Sequence, residues 1–442
     1  MVAGKLKLPG PQATVNQFVD VLPEGTRVLI GYSGGLDSHV LLHAAVSANS
    51  RRSDVSVEAV HIDHGLQPES KSWAQHCSRI CRNLGIELTI FDADVANKYA
   101  DSIQKNGLEA AAREARYQAY SDAMRQGDFV LLAQHADDQA ETFLLQALRG
   151  SGPDGLSAMQ PRRKFGGGLL CRPLLSCTRS ELEFFAEREQ LDYVTDGSNA
   201  DTRFDRNFLR HEIMPLLAQR WPSSNQTLAR SASRCHAASN LLLGLAASDL
   251  VGSKREGATE LDTALLLKLP LERRFNALRL WVRHRGYRLP SLKMLRQVES
   301  DLLQSAAEAG VVGCPEYEFR RYRNTLYLMD PRPRQQAGYE HSWPAHLETL
   351  HIPELNVRLQ RSELDRLGIS VPEGCTVSVR SRRGGELIPV GNPVIHKSVK
   401  KLLQEAQVPP WQRASYPLVY VDGDLAAVWH VAVAARFREP VT

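Results

Sequence analysis

From the N-terminus to about Trp221, short apolar runs alternate with stretches whose apolar positions recur every three or four residues. Short apolar runs predict buried strands, and the longer period predicts amphipathic helices. Their alternation is typical of an α/β fold with a doubly wound, mostly parallel sheet. The predicted strands are Arg27–Gly31, Val55–Ile62, Glu87–Asp92, Phe129–Gln134 and Leu169–Arg172, and the predicted helices are Asp37–Ala48, Ser70–Leu84, Leu108–Arg125, Asp138–Arg149 and Ser180–Gln190.

The pattern changes after Trp221, where arginine-rich sequence with helical periodicity continues to about Gln304. A short extended stretch, Glu316 to Met329, follows it, and Pro331 to Tyr339 has the composition of a linker. The remainder mixes strand-like alternation with a helix predicted at Lys397 to Ala406, as in a small α+β domain. We therefore predict three domains, at residues 1–222, 223–335 and 345–442.

Composition is that of a globular multidomain protein, with 442 residues of which 43% are hydrophobic and 24% charged. No apolar run approaches the roughly 18 residues that span a bilayer, and the start lacks a signal-peptide core, so a cytoplasmic location without membrane contact is expected. The seven cysteines show no Cys-x-x-Cys spacing, which favours free thiols. A net charge of +4 does not by itself indicate a nucleic-acid partner.

The strongest chemical signal is the string Tyr-Ser-Gly-Gly-Leu-Asp-Ser at residues 32–38, between the first predicted strand and a helix. A helix N-terminus after a glycine turn offers free N–H groups to an anion, and phosphate fits it. Gly34 and Gly35 permit close approach of the backbone, and Asp37 is placed to hold magnesium. A tight turn with a helix cap is the alternative for the tripeptide alone. The Walker pattern is missing, because no lysine follows the glycines.

Two further polar groups follow predicted strands at the same edge of the sheet. His61 and His64 end the second strand, and they are either structural or part of a site. Asp137, Asp138 and Glu141 follow the fourth strand beside His135. An acidic first turn complements a helix dipole, but three acids beside a histidine favour binding of magnesium or an amine.

On these residues, Ser33 to Ser38 resembles the PP-loop of the ATP pyrophosphatases, which bind ATP by its pyrophosphate and activate substrates by adenylation. The blocks that follow, in order, resemble those of the tRNA(Ile)-lysidine synthetases. Gln134 and Gln67 depart from the commonest pattern of that family, in which histidine and arginine are frequent. The blocks are His61–Leu66, Gln134–Thr142, Leu148–Leu156, Arg172–Leu175, Asp196–Asn199 and Arg206–Arg210, with looser likeness at Arg382–Glu386, Lys397–Lys400 and Val408–Trp411.

The resemblance implies an ATP- and Mg²⁺-dependent ligase that adenylates the carbonyl oxygen on carbon 2 of the wobble cytidine in the CAU anticodon of tRNA(Ile). Free L-lysine then displaces AMP to give lysidine. Arg113 would stabilise the attacked phosphate or the base oxygen, and the three acids at Asp137, Asp138 and Glu141 would bind and deprotonate the lysine amine. Asp37 and Asp138 would hold the metal, and the ATP-binding residues would be Ser33, Gly34, Gly35, Leu36, Asp37, Ser38, His61 and His64.

RNA contacts are expected from Arg203, Arg206 and Arg210, whose spacing aligns them on one helical face. Arg382 and Lys397 are expected to add contacts from the last domain. A solvated surface is the alternative for such a stripe, but further arginines downstream favour a phosphate track. Three rival functions are a tRNA thiolase, an amidotransferase-linked synthetase and an RNA-binding protein without catalysis. The sequence does not specify an oligomeric state.

Overall fold

The structure is a computed structural model that describes residues 10–65, 67, 69–197, 201–251, 259–307, 309–331, 338–355, 357–369, 371, 374–391 and 393–438. The chain divides into two compact units, Met1–Gly244 and Leu245–Thr442. The three-domain partition given above stays a prediction. Across the described helices, none has the length and apolar character needed to cross a bilayer.

The first unit is built on a six-stranded sheet with the order β3-β2-β1-β4-β6-β5. The first five strands in that order run parallel, and β5 alone is antiparallel, at the edge. The predicted doubly wound, mostly parallel sheet is therefore confirmed. The strands are β1 (Arg27–Gly31), β2 (Ser56–Asp63), β3 (Leu88–Asp92), β4 (Phe129–Leu131), β5 (Arg162–Phe165) and β6 (Gly168–Cys171).

Helices cover both faces of this sheet because apolar side chains alternate along its central strands. Val28 and Ile30 of β1 belong to one buried cluster, whereas Leu29 packs with Tyr120 in another. The helices are α1 (Pro11–Asp20), α2 (Leu36–Asn49), α3 (Ser70–Leu84), α4 (Val95–Lys98), α5 (Ala100–Asn106), α6 (Leu108–Ala123), α7 (Ala136–Leu148), α8 (Pro153–Leu156), α9 (Arg179–Arg188), α10 (Asp205–Phe208), α11 (Met214–Arg220) and α12 (Ser224–Val251).

Strand β1 pairs with β2 on one side and with β4 on the other, and the chain order reverses between β1 and β4. In open parallel sheets, ligands bind outside the carboxyl ends of the strands at such a reversal. The segment 32–38 follows β1, and the acidic segment follows β4. The fold therefore brings both predicted sites to the position where α/β proteins bind substrates.

Several predicted boundaries are wrong in detail. Strand β4 ends at Leu131 rather than Gln134, and α7 begins at Ala136, two residues before the predicted start. Strand β5 was not predicted, because Arg-Arg-Lys-Phe has no alternating apolar pattern. Lys397 lies in a strand and not in the predicted helix, which begins at Val399. The predicted linker falls mostly on residues 332–337, outside the described residues.

The second unit combines helices with antiparallel sheets. The predicted helical stretch contains α13 (Thr263–Leu267), α14 (Leu271–His284) and α15 (Leu292–Gln297), beside a sheet of order β7-β10-β9-β8 formed by β7 (Glu260–Asp262), β8 (Ala309–Gly313), β9 (Glu318–Tyr322) and β10 (Thr325–Met329). The extended stretch predicted at Glu316 to Met329 is the β9–β10 hairpin.

The last hundred residues form the predicted small α+β fold around a five-stranded antiparallel sheet. Its core includes Trp343, Val379 and Val419. The strands are β11 (Glu340–Trp343), β12 (Thr349–Ile352), β13 (Val357–Gln360), β14 (Val377–Arg380), β15 (Leu387–Val390), β16 (Ile395–Ser398), β17 (Leu418–Val421), β18 (Asp424–Val428) and β19 (Ala432–Val433), and the helices are α16 (Ser362–Arg366), α17 (Val399–Glu405) and α18 (Pro410–Arg413).

Candidate active site

The turn between β1 and α2 is held by its two serines. The Ser33 N–H donates to Ser38 Oγ at 3.2 Å, and the two hydroxyl oxygens lie 3.0 Å apart. The Ser38 hydroxyl also donates to the Gly35 carbonyl at 2.9 Å. The turn is thus fixed from within, and the N-terminus of α2 keeps its first N–H groups for an external anion.

The position of Gly34 accommodates glycine better than any residue with a side chain. Its φ is +84°, and a Cβ there would lie 3.0 Å from Cys77 Sγ and 3.1 Å from Val194 Cγ2. The Gly34 carbonyl accepts the Val194 N–H at 3.0 Å. Left-handed backbone and close packing both require glycine. The second residue of the glycine pair in the turn, Gly35, has ordinary extended backbone as the N-cap of α2.

Asp37, in the first turn of α2, is bound by Arg179 of α9. One guanidinium nitrogen, Nη1, donates to both carboxylate oxygens at 2.6 and 2.8 Å. Burial raises the pKa of Asp37, and the charges of His135 and Arg179 oppose that rise. The backbone N–H of Arg179 donates to Asp137 Oδ2 at 2.8 Å. Arg179 therefore joins the turn after β1 to the acidic segment after β4.

His135 is buried among three aspartates. Its Nε2 lies 3.8 Å from Asp37 and 3.6 Å from Asp138, and its Nδ1 lies 3.6 Å from Asp137. Burial lowers the pKa of His135, but these carboxylates outweigh burial and the pKa is raised. The surrounding carboxylates therefore favour the protonated imidazole.

The three acids after β4 are all engaged. Asp137 accepts from the Asn225 side chain as well as from Arg179, and its pKa is lowered to about 2 because these bonds and His135 outweigh burial. Asp138 accepts the His135 N–H at 3.0 Å, which caps α7. Burial opposes ionisation of Asp138, but nearby positive charges hold its pKa below the usual value.

Arg206 and Arg210 hold the two buried acids of α7 in a four-residue network. Arg206 donates to Asp138 at 2.9 Å and to Glu141 at 2.8 Å. Arg210 donates to Asp138 at 2.9 Å and to Glu141 at 2.6 and 2.9 Å. Glu141 is only 2% exposed, so these bonds compensate the cost of burying its charge.

The net charge of the residues around His135 depends on whether its imidazole is protonated. Asp37 and Asp138 each lie within 4 Å of His135 Nε2, and Mg²⁺ commonly takes one or two carboxylates together with phosphate oxygens. The donor set therefore fits magnesium, although the described residues contain no group of three metal ligands. While the imidazole is neutral, four carboxylates outnumber three guanidinium groups in the set Asp37, Asp137, Asp138, Glu141, Arg179, Arg206, Arg210 and His135.

His61, near the end of β2, is buried, and His64, just after that strand, is partly buried. His61 donates from Nδ1 to the Tyr32 carbonyl at 2.9 Å, so it supports the backbone just before the glycine turn. Burial lowers the pKa of His61, and it lowers that of His64 to about 4. Both imidazoles are therefore uncharged at neutral pH. Their predicted contact with ATP stays a prediction.

Arg113 is exposed on α6 and donates to the Tyr117 hydroxyl at 3.2 Å. The same hydroxyl accepts from Arg172 at 3.3 Å. Arg172 also donates to Gln134 Oε1 at 2.9 Å. Gln134, which differs from the common pattern of the family, therefore has a structural role beside His135. Arg113 thus lies in a group linked to the acidic segment through Arg172 and Gln134.

The structure does not place Arg203, Arg206 and Arg210 on one helical face, so the predicted alignment is wrong. Arg203 precedes α10 and pairs with Asp201, whereas Arg206 and Arg210 turn toward the buried acids. In the second unit, Arg382 pairs with Glu386 at 3.3 Å and Lys397 pairs with Glu405 at 3.1 Å. Their roles in RNA binding stay predictions.

Sequence reasoning missed Arg179 and Asn225, and it gave Arg172 no role. Arg179 lies 142 residues from Asp37, and Asn225 lies 88 residues from Asp137. The only local signal near Arg179 is the helix start, where Thr178 and Glu181 form a capping box. That signal predicts where α9 begins and not what Arg179 contacts.

Comparison with known proteins agrees with this geometry. Residues 10–217 match the PP-loop domain, residues 261–327 the TilS substrate binding domain, and residues 377–440 the TilS substrate C-terminal domain. The tRNA(Ile)-lysidine synthase of Coxiella burnetii is 39% identical over 96% of this chain and 92% of its own length. The chain belongs to the tRNA(Ile)-lysidine synthase family.

Other members of the family are similarly close. The tRNA(Ile)-lysidine synthase of Legionella pneumophila strain Lens is 36% identical over 95% of both chains. That of Xanthomonas campestris pv. campestris strain 8004 is 37% identical over 93% of this chain and 92% of the relative. The predicted lysidine synthase family, and with it the predicted class of enzyme, is confirmed. Its PP-loop domain includes the turn at 32–38 and implies ATP binding.

Proposed function

We propose that this protein ligates free L-lysine to carbon 2 of the wobble cytidine in the CAU anticodon of tRNA(Ile). In the first step, the carbonyl oxygen on carbon 2 attacks the α-phosphorus of ATP, which forms an adenylated cytidine and releases pyrophosphate. In the second step, the ε-amine of lysine attacks carbon 2 and AMP leaves. Family membership supports the reaction class, and the lysine and anticodon assignments are part of the proposal.

One observation carries the proposal. The Arg179 side chain donates hydrogen bonds to Asp37 at the start of α2, and its backbone N–H donates to Asp137 after β4. Adenylation needs a phosphate site, and the second step needs an amine site beside the same carbon. A residue bonded to both segments keeps them at one fixed separation. This supports a single site in which the two steps follow one another without movement of the base.

In the first step, the turn would hold the pyrophosphate of ATP. The N-terminus of α2 would stabilise negative charge on the leaving group through its backbone N–H groups and the helix dipole. The residues of the turn and of the first helical turn that would contact the pyrophosphate are Ser33, Gly34, Gly35, Leu36 and Ser38. Asp37 and Asp138 would hold Mg²⁺, which when bound neutralises charge on the phosphates.

In the second step, the acidic cluster would bind the ammonium of lysine. While His135 is neutral, the carboxylates of this cluster outnumber its guanidinium groups, which favours a cation. Asp137 has a pKa of about 2, so it serves to bind the ammonium and is a weak base. Arg113 would stabilise the α-phosphate or the base oxygen from its position on α6.

The rival thiolase function is poorly supported by the cysteines. All seven are free thiols, and Cys77, Cys81, Cys171 and Cys177 are buried. Burial raises the pKa of Cys77 to about 12 and those of Cys81 and Cys171 to about 11. Sulfur transfer requires a thiolate, which these environments disfavour.

The test is incorporation of labelled lysine into unmodified tRNA(Ile) with a CAU anticodon. Wild-type protein should incorporate lysine only when ATP is present and should release AMP and pyrophosphate. Asp37→Asn should lower the rate at least about 100-fold, because it removes charge from the phosphate and metal site. Asp122→Asn, an exposed acid on α6, is the matched control and should retain full activity.

Two outcomes would contradict the proposal. Wild-type protein that releases pyrophosphate with tRNA but incorporates no lysine would refute the choice of lysine. Equal rates for Asp37→Asn and wild type would refute the nucleotide site. A tRNA with a different wobble base should not accept lysine.

A further inference from the structure

Three arginines surround one tyrosine at the side of the candidate site; we name Arg113, Arg163, Arg172 and Tyr117 the Tyr117 cluster. The guanidinium carbons of Arg113 and Arg163 lie 4.8 and 5.2 Å from the centre of the Tyr117 ring. The Tyr117 hydroxyl oxygen accepts from Arg113 at 3.2 Å and from Arg172 at 3.3 Å. Arg163 also lies 5.2 Å from the Phe165 ring, so two aromatic rings position it.

Within the described part of the chain, no carboxylate lies within ion-pair distance of these three arginines. Arg172 is 5% exposed, and its hydrogen-bond acceptors are the neutral Gln134 side chain, the Gln160 carbonyl and Tyr117. A buried guanidinium without a counter-charge is costly, and burial lowers the pKa of Arg172. An anion bound beside the cluster would neutralise this charge.

The cluster lies at the ligand-binding edge of the sheet. Arg172 directly follows β6, and its partner Gln134 directly precedes His135. Exposed basic residues on an edge strand often serve only to prevent pairing with a strand of another molecule. This role is sufficient to explain why Arg162 and Lys164 of β5 are basic. Arg163 alternates with them, so it alone of the three points to the face where Tyr117 lies.

We propose that the Tyr117 cluster, through Arg163 and Arg172, binds a backbone phosphodiester of the RNA substrate, next to the nucleotide that is modified. The inference rests on the proposed function and adds a binding site to it. Planar guanidinium groups bind phosphate oxygens through paired N–H groups, and stacking on aromatic rings fixes their orientation. Arg163 is exposed, as contact with a macromolecule requires. Arg113 is assigned to the α-phosphate or the base oxygen, and the turn after β1 supplies N–H groups for the phosphates of ATP.

The test compares Arg163→Gln with Arg162→Gln, its neighbour on the same strand. Both residues are exposed, and both substitutions remove one positive charge. Affinity for unmodified tRNA(Ile) transcript is measured by fluorescence anisotropy without ATP at several salt concentrations. Arg163→Gln should weaken binding about tenfold and reduce the slope of log affinity against log salt by about one, because one phosphate contact is lost. Arg162→Gln should leave both values unchanged.

Two further measurements complete the design. Arg163→Lys keeps the positive charge but loses the stacking of a planar guanidinium on the Tyr117 and Phe165 rings. Its affinity for tRNA should therefore lie between those of Arg163→Gln and wild type. Binding of ATP to the free protein should be equal in Arg163→Gln and wild type.

Equal tRNA affinities for the Arg163→Gln and Arg162→Gln variants would overturn the inference. A loss of ATP binding in Arg163→Gln with normal tRNA affinity would assign Arg163 to the nucleotide instead and would also overturn the inference. Both results are independent of lysine incorporation, so failure of the proposed reaction would be recognised separately, by the absence of product with wild-type protein.

Discussion

Arg179 donates from a single nitrogen, Nη1, to both carboxylate oxygens of Asp37. The two residues lie on different helices, α9 and α2, and the same arginine donates its backbone N–H to Asp137. The geometry of the candidate site therefore depends on a residue that follows the whole sheet in sequence. Arg179 positions two carboxylates at once.

Substitution of Arg179 should change the pH dependence of the reaction. Burial raises the pKa of Asp37 and Arg179 opposes that rise, so Arg179→Gln should raise the pKa of Asp37 further. The acidic limb of the pH–rate profile for ATP-dependent pyrophosphate release should move to higher pH, and the rate at neutral pH should fall about tenfold or more. Arg188→Gln, on the same helix and more than half exposed, should reproduce the wild-type profile. An unshifted limb in Arg179→Gln would contradict this role.

Gly34→Ala should be far more damaging than Gly25→Ala. Both glycines have positive φ, at +84° and +72°, but only at Gly34 would a Cβ meet other atoms within 4 Å. Backbone strain of about 1 kcal/mol is common to both substitutions, and steric overlap with Cys77 and Val194 is added at Gly34. Urea denaturation should show a loss of about 2–4 kcal/mol for Gly34→Ala against about 1 kcal/mol for Gly25→Ala. Equal losses would show that the turn can relax.

Glu141→Gln should destabilise the first unit through the network that it shares with Arg206 and Arg210. Breaking a fully buried ion pair costs about 3–5 kcal/mol, but these arginines are about one-third exposed and water can solvate them, so we expect about 2 kcal/mol. The free energy of unfolding measures the effect. Glu212→Gln, at an exposed acid just after Arg210 in sequence, should change the free energy of unfolding by less than about 0.5 kcal/mol. A similarly small effect for Glu141→Gln would mean that the network contributes no net stability.

His135 should make stability depend on pH near neutrality. Its pKa is raised in the folded protein, so the protonated imidazole is stabilised by folding. This contribution is complete below the unfolded pKa of about 6.5, and it is lost as pH rises through the higher folded pKa. The destabilisation caused by His135→Gln should therefore be larger at pH 5.5 than at pH 8.5, as measured by urea denaturation. A larger destabilisation at pH 8.5 than at pH 5.5 would show that burial has a stronger effect on the pKa of His135 than the three aspartates have.

The parts of the structure that the sequence predicted are those encoded by contiguous residues. The turn at 32–38 and the acidic segment beginning at Asp137 each follow an apolar strand, so their place at the sheet edge follows from chain order and the handedness of crossovers. Helix α3 begins and ends at the predicted residues, and Gly85 follows it in the left-handed conformation that commonly ends a helix.

The missed parts depend on contacts distant in sequence. The spacing of Arg206 and Arg210 correctly indicates a shared face, but it does not reveal whether that face meets RNA or buried carboxylates. Arg179 and Asn225 reach the site from segments that carry no local signal of chemistry. Strand β5 escaped prediction because basic residues occupy three of its four positions.

The antiparallel hairpin of β5 and β6 forms one edge of the sheet, and its charges affect how two copies of this protein interact at high concentration. Strand β5 leaves one row of backbone groups unpaired by the sheet, and such a row can recruit a strand from another molecule. Arg162 and Lys164 carry like charges along this rim, so two rims that approach each other are repelled. Like charges at this edge therefore disfavour pairing between two copies of the strand, whereas Arg163 lies on the opposite side of the strand.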